Sequence, residues 1–249
     1  MSAAKAGAPA RAARDSGALV PFIPYAIVSI AHVLLLLADH PLGGYATKQL
    51  LMPALVLAAV WATWRLRPWP RAAMLLVLAA LTMSWLGDGA GLFFPCLPTL
   101  PTMILCFGIA HICYMLLFWR APGIPGPRRV PRWALVYVVW WVATVGLVGP
   151  HAGALLIALA LYGLVLGGTA ALSTRFGPVV TWGGVFFLVS DTLIALREFL
   201  EAPGWVGDLV MPTYTLGQGL IVYGTVSLLR AASHPLDAGV RSERGEAAR

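Results

Sequence analysis

The sequence predicts an all-α fold, a polytopic integral membrane helical bundle of eight transmembrane helices with both termini cytoplasmic. Three observations predict it. Of 249 residues, 59% are apolar and only 11% are charged, with a mean hydropathy of +0.82. A soluble chain is about one quarter charged and must cover a large water-facing surface, so lipid is the expected solvent. Cutting the chain at its charges, prolines and glycines leaves eight stretches near the roughly 20 apolar residues that cross a bilayer as a helix. With the N-terminus placed inside, 15 of the 17 lysines and arginines fall on the inner side, the bias that orients membrane proteins.

The elements follow in order. Residues 1–18 form an N-terminal arm with Lys5, Arg11 and Arg14. The apolar run after it exceeds a signal-peptide core and lacks a small-x-small cleavage site, so it reads as a retained first helix. The predicted spans are 19–38, 47–64, 72–93, 100–119, 133–148, 152–172, 179–196 and 209–229, together a membrane domain over 19–229. The fifth is the shortest, and Pro150 with His151 turns the chain into the sixth. Residues 120–132 carry four arginines among proline and glycine breakers, a basic linker between two four-helix halves. The tail, 230–249, alternates charge with Gly, Ala and Ser and is expected to be disordered and cytoplasmic. Gly87-Asp88 in span three and Ser190-Asp191 in span seven occupy matching places in the two halves. Four spans return the chain to the same side, so such a repeat is parallel.

Composition also excludes function classes. A pI near 9.8 suggests nucleic acid, but the bases sit in inner loops beside an anionic bilayer surface rather than on one face of a soluble fold. Cys96, Cys106 and Cys113 form no C-x-x-C pair, which argues against a disulfide framework or thiolate zinc site. Catalytic zinc generally takes three protein ligands, often histidines. Only His32 and His111 of the five histidines lie within spans, and no H-x-x-x-H pair occurs, so neither metal nor cofactor is expected.

Two acids, Asp88 and Asp191, remain inside apolar spans. An ionisable group there is costly unless paired, hydrated or protonated, and such groups usually line a cavity. Counting 17 residues from Arg71 puts Asp88 roughly 25 Å up its helix, and 12 residues from Val179 put Asp191 roughly 18 Å up. Both belong to the outer half, Asp191 the deeper. His111 and Tyr114 share a face of span four, as do Tyr214 and Gln218 in span eight. Lys48 opens span two from outside, Tyr162 lies midway down span six, and Ser190 adjoins Asp191. Helices two, three, four, six, seven and eight are therefore expected to build one polar cavity.

Leu86-Gly87-Asp88, Ala110-His111-Ile112-Cys113-Tyr114, the run Gly184 to Leu196 containing F-x-x-S-D-x-x-x-A-L, and Tyr214 with Gln218-Gly219-Leu220-Ile221 resemble the YhhN family. The resemblance runs from about residue 47 to 229, and that family includes lysoplasmalogenases. It implies an eight-span hydrolase that cleaves the alkenyl ether of lysoplasmalogens to a fatty aldehyde and glycerophosphoethanolamine or glycerophosphocholine. The family's two acids correspond to Asp88 and Asp191 and its helix-two lysine to Lys48, which Gln49 follows where the family commonly has proline.

A vinyl ether hydrolyses through protonation of its β-carbon, which suits one protonated and one ionised carboxyl group in a low-dielectric cavity. Asp191 is the expected acid and Asp88 the expected base. His111, Tyr114, Tyr162, Ser190, Tyr214 and Gln218 would orient them or bind the glycerol, with Lys48 on the substrate phosphate. The expected partners are an alkenyl lysophospholipid and membrane lipids, without nucleic acid, in a bacterial cytoplasmic membrane. The residues leave open a proton-coupled transporter, a lipid-binding membrane protein, or a hydrolase of another ether or epoxide lipid.

Overall fold

The computed structural model describes residues 19–233; the expected arm, 1–18, and nearly all of the expected tail lie outside the described residues. Within them there is no strand, and eight main helices follow one another. They are α1 (Ile23–Leu37), α2 (Tyr45–Thr63), α3 (Arg71–Asp88), α4 (Thr99–Arg120), α5 (Val136–Val148), α6 (Leu156–Ser173), α7 (Pro178–Phe199) and α8 (Trp205–Ala232). The first seven, with their flanking turns, are long and apolar enough to cross a membrane. Their outer faces match that solvent, with Ile157 73% and Leu57 69% exposed, contiguous apolar exposure that water does not tolerate.

The helix ends have local causes. Span three does not run unbroken to residue 93. Its helix stops at Asp88, Gly89 caps it, and one further helical turn covers Ala90–Phe93. The Gly-Asp-Gly-Ala-Gly run supplies this break, because glycine enters non-helical backbone at low steric cost. The short fifth span is lengthened by 3₁₀ turns at Arg132–Leu135 and Gly149–His151, giving a helical stretch of 20 residues. α8 starts four residues earlier than predicted and is the longest helix, 28 residues, with Thr213, Tyr214, Thr215 and Gln218 along it. Those polar groups keep its hydropathy below that of the other seven.

Packing closes six helices into a ring: α2 on α3, α3 on α4, α4 on α6, α6 on α7, α7 on α8, and α8 back on α2. α1 covers α2 and α8 from outside, and α5 covers α6 and α7. The order repeats between the halves. The first helix of each packs on its second, the second on its third, the third on its fourth, and each fourth on the second helix of the other half.

The closest contact is α7 on α8. A Cβ on Gly217 would lie 2.7 Å from the backbone N of Phe187, and one on Gly183 would lie 2.7 Å from that of Ile221. Small residues let two backbones approach this closely, as they commonly do between membrane helices. At the arginine-rich end, Arg175 Nη1 donates to the carbonyls of Phe118 (2.7 Å) and Trp119 (2.6 Å), capping α4. Gly177, at φ +88°, turns the chain into α7. The ring is thereby fixed at one end, with the two acids towards the other.

Candidate active site

Asp88 is the last residue of α3, where the carbonyl end of the helix dipole disfavours a negative charge. The neighbouring groups offset this. Lys48 Nζ, from the first turns of α2, lies 3.1 Å from Asp88 Oδ1, and the Tyr214 hydroxyl on α8 donates to Oδ2 at 2.7 Å. The carboxyl side chain is 2% exposed and that of Lys48 26%. The lysine thus stands between the acid and the opening of the bundle at this end.

Asp191 lies in the interior of α7. The Tyr162 hydroxyl on α6 donates a short hydrogen bond to its Oδ2, and His111 Nε2 on α4 stands 3.5 Å from the same oxygen. His111 is fully buried between the rings of Phe187 and Tyr162, at centroid distances of 4.6 and 5.7 Å. Neither imidazole nitrogen has a hydrogen-bond partner among the described residues. A buried polar group left unpaired in this way is costly, and its nearest polar neighbour is the Asp191 carboxyl group.

Phe187 joins the two clusters, since it also packs edge-on against Tyr214 at 5.5 Å. His111 and Tyr214, one from each cluster, thus pack on the same ring. One helical turn deeper, Tyr114 donates to Gln218 Oε1 at 2.6 Å, and Gln218 Nε2 donates to Ser84 Oγ at 3.0 Å. This fully buried chain ties α4, α8 and α3 together beneath the acids.

Of the predicted residues, Lys48, Asp88 and Tyr214 meet in one cluster and Tyr162, His111 and Asp191 in the other. Tyr114 and Gln218 support them from below. Ser190 does not join: its hydroxyl donates to the Val210 carbonyl at 3.1 Å and clamps α7 to α8. Solvent exposure does not single out Asp191 as the more buried acid, since Asp88 is 5% exposed and Asp191 9%. Lys48 and Tyr214 occupy the two Asp88 oxygens, which shields this acid although it ends its helix. All six ring helices contribute a polar side chain, as their polar residues predicted.

Other groups were not anticipated. His32 on α1 is 1% exposed, and its Nδ1 lies 2.7 Å from Thr47 Oγ1, whose own proton points to the Leu42 carbonyl. His32 Nδ1 is then the donor. Gln49 follows Lys48, and its buried side-chain amide has no partner among the described residues. The sequence signal for both was available, as polar residues inside predicted spans one and two.

Two cavities lie side by side here. A mouth of about 460 Å³ is lined by His32, Lys48, Asp39, Arg197 and Asp208, and an apolar cleft of about 60 Å³ between α4, α5, α6 and α7 reaches Asp191 and Tyr162. Met103 and Ile194 belong to both walls. Among the described residues no three His, Cys, Asp or Glu side chains gather into a metal-binding group.

Fold and site together define an integral membrane protein with a buried two-carboxyl centre inside a ring of six helices. The chain belongs to the YhhN family, which it matches over residues 44–225, from the start of α2 to near the end of α8. No curated protein and no solved structure matches it. The match takes in every predicted site residue and leaves out α1.

Proposed function

We propose that the protein hydrolyses the alkenyl ether of lysoplasmalogens, using Asp191 as general acid and Asp88 as general base. The observation that carries this reading is an apolar cleft that reaches Asp191 beside a charged mouth lined by Lys48, the partner of Asp88. A single-chain lipid has that division: a zwitterionic head for the mouth and a hydrocarbon chain for the cleft. At about 60 Å³ the cleft holds about two water-sized volumes. The chain therefore enters as α5, the outer helix on this wall, moves away from α7.

Proton bookkeeping fits the two environments. The ammonium of Lys48 and the hydroxyl of Tyr214 both stabilise an ionised Asp88. Asp191 also accepts from a tyrosine but has no lysine or arginine beside it among the described residues, and in this reading it is the group that carries a proton. It protonates the β-carbon of the vinyl ether, and the resulting oxocarbenium ion is stabilised by the carboxylates. Asp88 takes a proton from the attacking water, giving a hemiacetal. As the hemiacetal collapses, Asp88 returns its proton to the departing glycerol oxygen and the hemiacetal hydroxyl reprotonates Asp191. The products are a fatty aldehyde and a glycerophospho-alcohol, and both acids end as they began.

In this reading α8 is an eighth span, its polar residues facing the ring. The termini lie on the side that carries 15 of the 17 bases, the cytoplasmic side of a bacterial inner membrane. The test is aldehyde release from a lysoplasmenyl substrate by membranes containing wild type, Asp88→Asn or Asp191→Asn, with insertion checked. Full activity in either inserted variant rejects the two-acid mechanism. Loss of activity on adding a chelator rejects the metal-free chemistry. Proton flux without aldehyde would favour a transporter.

A further inference from the structure

We infer that the arginine-rich end of the bundle holds a second lipid site, which takes one anionic diacyl phospholipid between the linker and α7. A cavity of about 770 Å³ opens there, between the start of α5 and the start of α7, lined by Arg128, Arg129, Trp133, Val136, Thr181 and Trp182 among others. None of its lining residues is acidic. Among the described residues neither Arg128 nor Arg129 has a side-chain hydrogen bond or ion pair, although the backbone of Arg128 is held in place. Its N–H donates to the Arg175 carbonyl and its own carbonyl accepts from Arg175 Nε, both at 3.1 Å. Both guanidinium groups are free to pair with an anion, and because the Arg128 backbone is already held, its binding orders the side chain alone.

The wall favours a lipid over a soluble phosphate. Trp133, Val136 and Trp182 are 55%, 54% and 58% exposed, apolar area that a water-borne ligand would leave uncovered and acyl chains would not. From Pro178 to Val185, another lining residue, the groove runs seven residues along α7, roughly 10 Å, which matches the step from headgroup to upper chain. The phosphate sits at Arg128 and Arg129 near the start of α7, the end of a helix dipole that favours negative charge. The glycerol lies at Thr181, and the chains run past Val136 and Trp182. The mouth at the other end differs, since Asp39 and Asp208 balance Lys48 and Arg197. An excess of positive charge is confined to this end.

The experiment is native mass spectrometry of the purified full-length protein with phosphatidylglycerol, phosphatidylcholine of the same chains, or glycerol 3-phosphate. The expected result is one retained phosphatidylglycerol, little phosphatidylcholine and no glycerol 3-phosphate. In Arg128→Gln/Arg129→Gln, retention should weaken about 25-fold, or fivefold for each basic residue lost near the headgroups. Trp182→Ala should lower retention of the lipid with both charges intact, which keeps the test usable if the double variant does not accumulate. Equal retention of the two lipids, equal binding of glycerol 3-phosphate, or unchanged retention in the variants would overturn the site. Arg128 and Arg129 are far from Asp88 and Asp191, so the result does not depend on whether the protein cleaves ethers.

Discussion

Asp88 and Asp191 occupy matching places in two halves that pack in the same order, yet they are held by different chemistry. Each receives one group from the preceding helix, Lys48 from α2 or Tyr162 from α6. Each also receives one from the last helix of the opposite half, Tyr214 from α8 or His111 from α4. His111 and Tyr214 even follow the acid of their own half at the same distance of 23 residues, 88 to 111 and 191 to 214. Two of the partners therefore differ between the halves, lysine against tyrosine and tyrosine against histidine. A symmetric frame with unlike partners can place two acids together and still keep one ionised and the other protonated.

The comparison breaks most sharply at the acids themselves. Asp88→Asn and Asp191→Asn should each lower aldehyde release about 10³-fold, within the range of general acid or base catalysis. If one of them loses less than tenfold, the halves are not equal contributors and the proposed division of labour fails. The measurement is the initial rate in membranes matched for inserted protein.

Next in size is the packing of the halves. A Cβ at Gly217 meets backbone, 2.7 Å from Phe187 N, whereas one at Gly87 meets the ring of Phe107, also at 2.7 Å. A ring can turn aside and a backbone cannot. Gly217→Ala should destabilise by about 2–3 kcal/mol and Gly87→Ala by about 1 kcal/mol or less, in the range of overpacked cores. Thermal unfolding in detergent measures both, and equal losses would show that the α7–α8 contact is no tighter than α3–α4.

These two contrasts also mark how far the sequence could be read. Seven of the spans and the ring membership were legible because a bilayer fixes helix length, and because polar residues in lipid must face inwards. The break at Gly89 was written in the glycine run and was read through, since hydropathy alone does not register it. Pairings were not legible. Lys48 and Asp88 are 40 residues apart, and Lys48 at a span end looks like a headgroup ligand until α2 and α3 are packed. Ser190 looked like a neighbour of Asp191 because it adjoins it in sequence, but one step along a helix turns a side chain by about 100°, given 3.6 residues per turn.

The unlike partners give a smaller contrast. Lys48→Met leaves Asp88 at a helix end without its cation. Breaking a buried pair costs about 3–5 kcal/mol, but Lys48 is partly exposed, so about 1–2 kcal/mol is expected after solvent screening. In Lys48→Met/Asp88→Asn that loss should largely disappear, because no charge is left unpaired. Tyr162→Phe removes a hydrogen bond to a carboxyl group and should cost activity about tenfold with little change in unfolding. If Lys48→Met and Tyr162→Phe behave alike in both assays, the difference between the halves has no chemical consequence.

The smallest effect is expected at the residue just before each acid, Gly87 in one half and Ser190 in the other. Ser190 is buried, and its hydroxyl is spent on the Val210 carbonyl, which Thr213 Oγ1 also approaches at 3.0 Å. Ser190→Ala therefore removes one donor from an acceptor that keeps another, with no gap larger than an oxygen atom. The expected cost is about 1 kcal/mol or less in unfolding, with the rate of aldehyde release unchanged. A tenfold loss of rate at unchanged stability would put the Ser190 hydroxyl on the substrate. The second half would then have a reacting group that glycine cannot supply in the first, and the divergence would extend to the residue beside the acid.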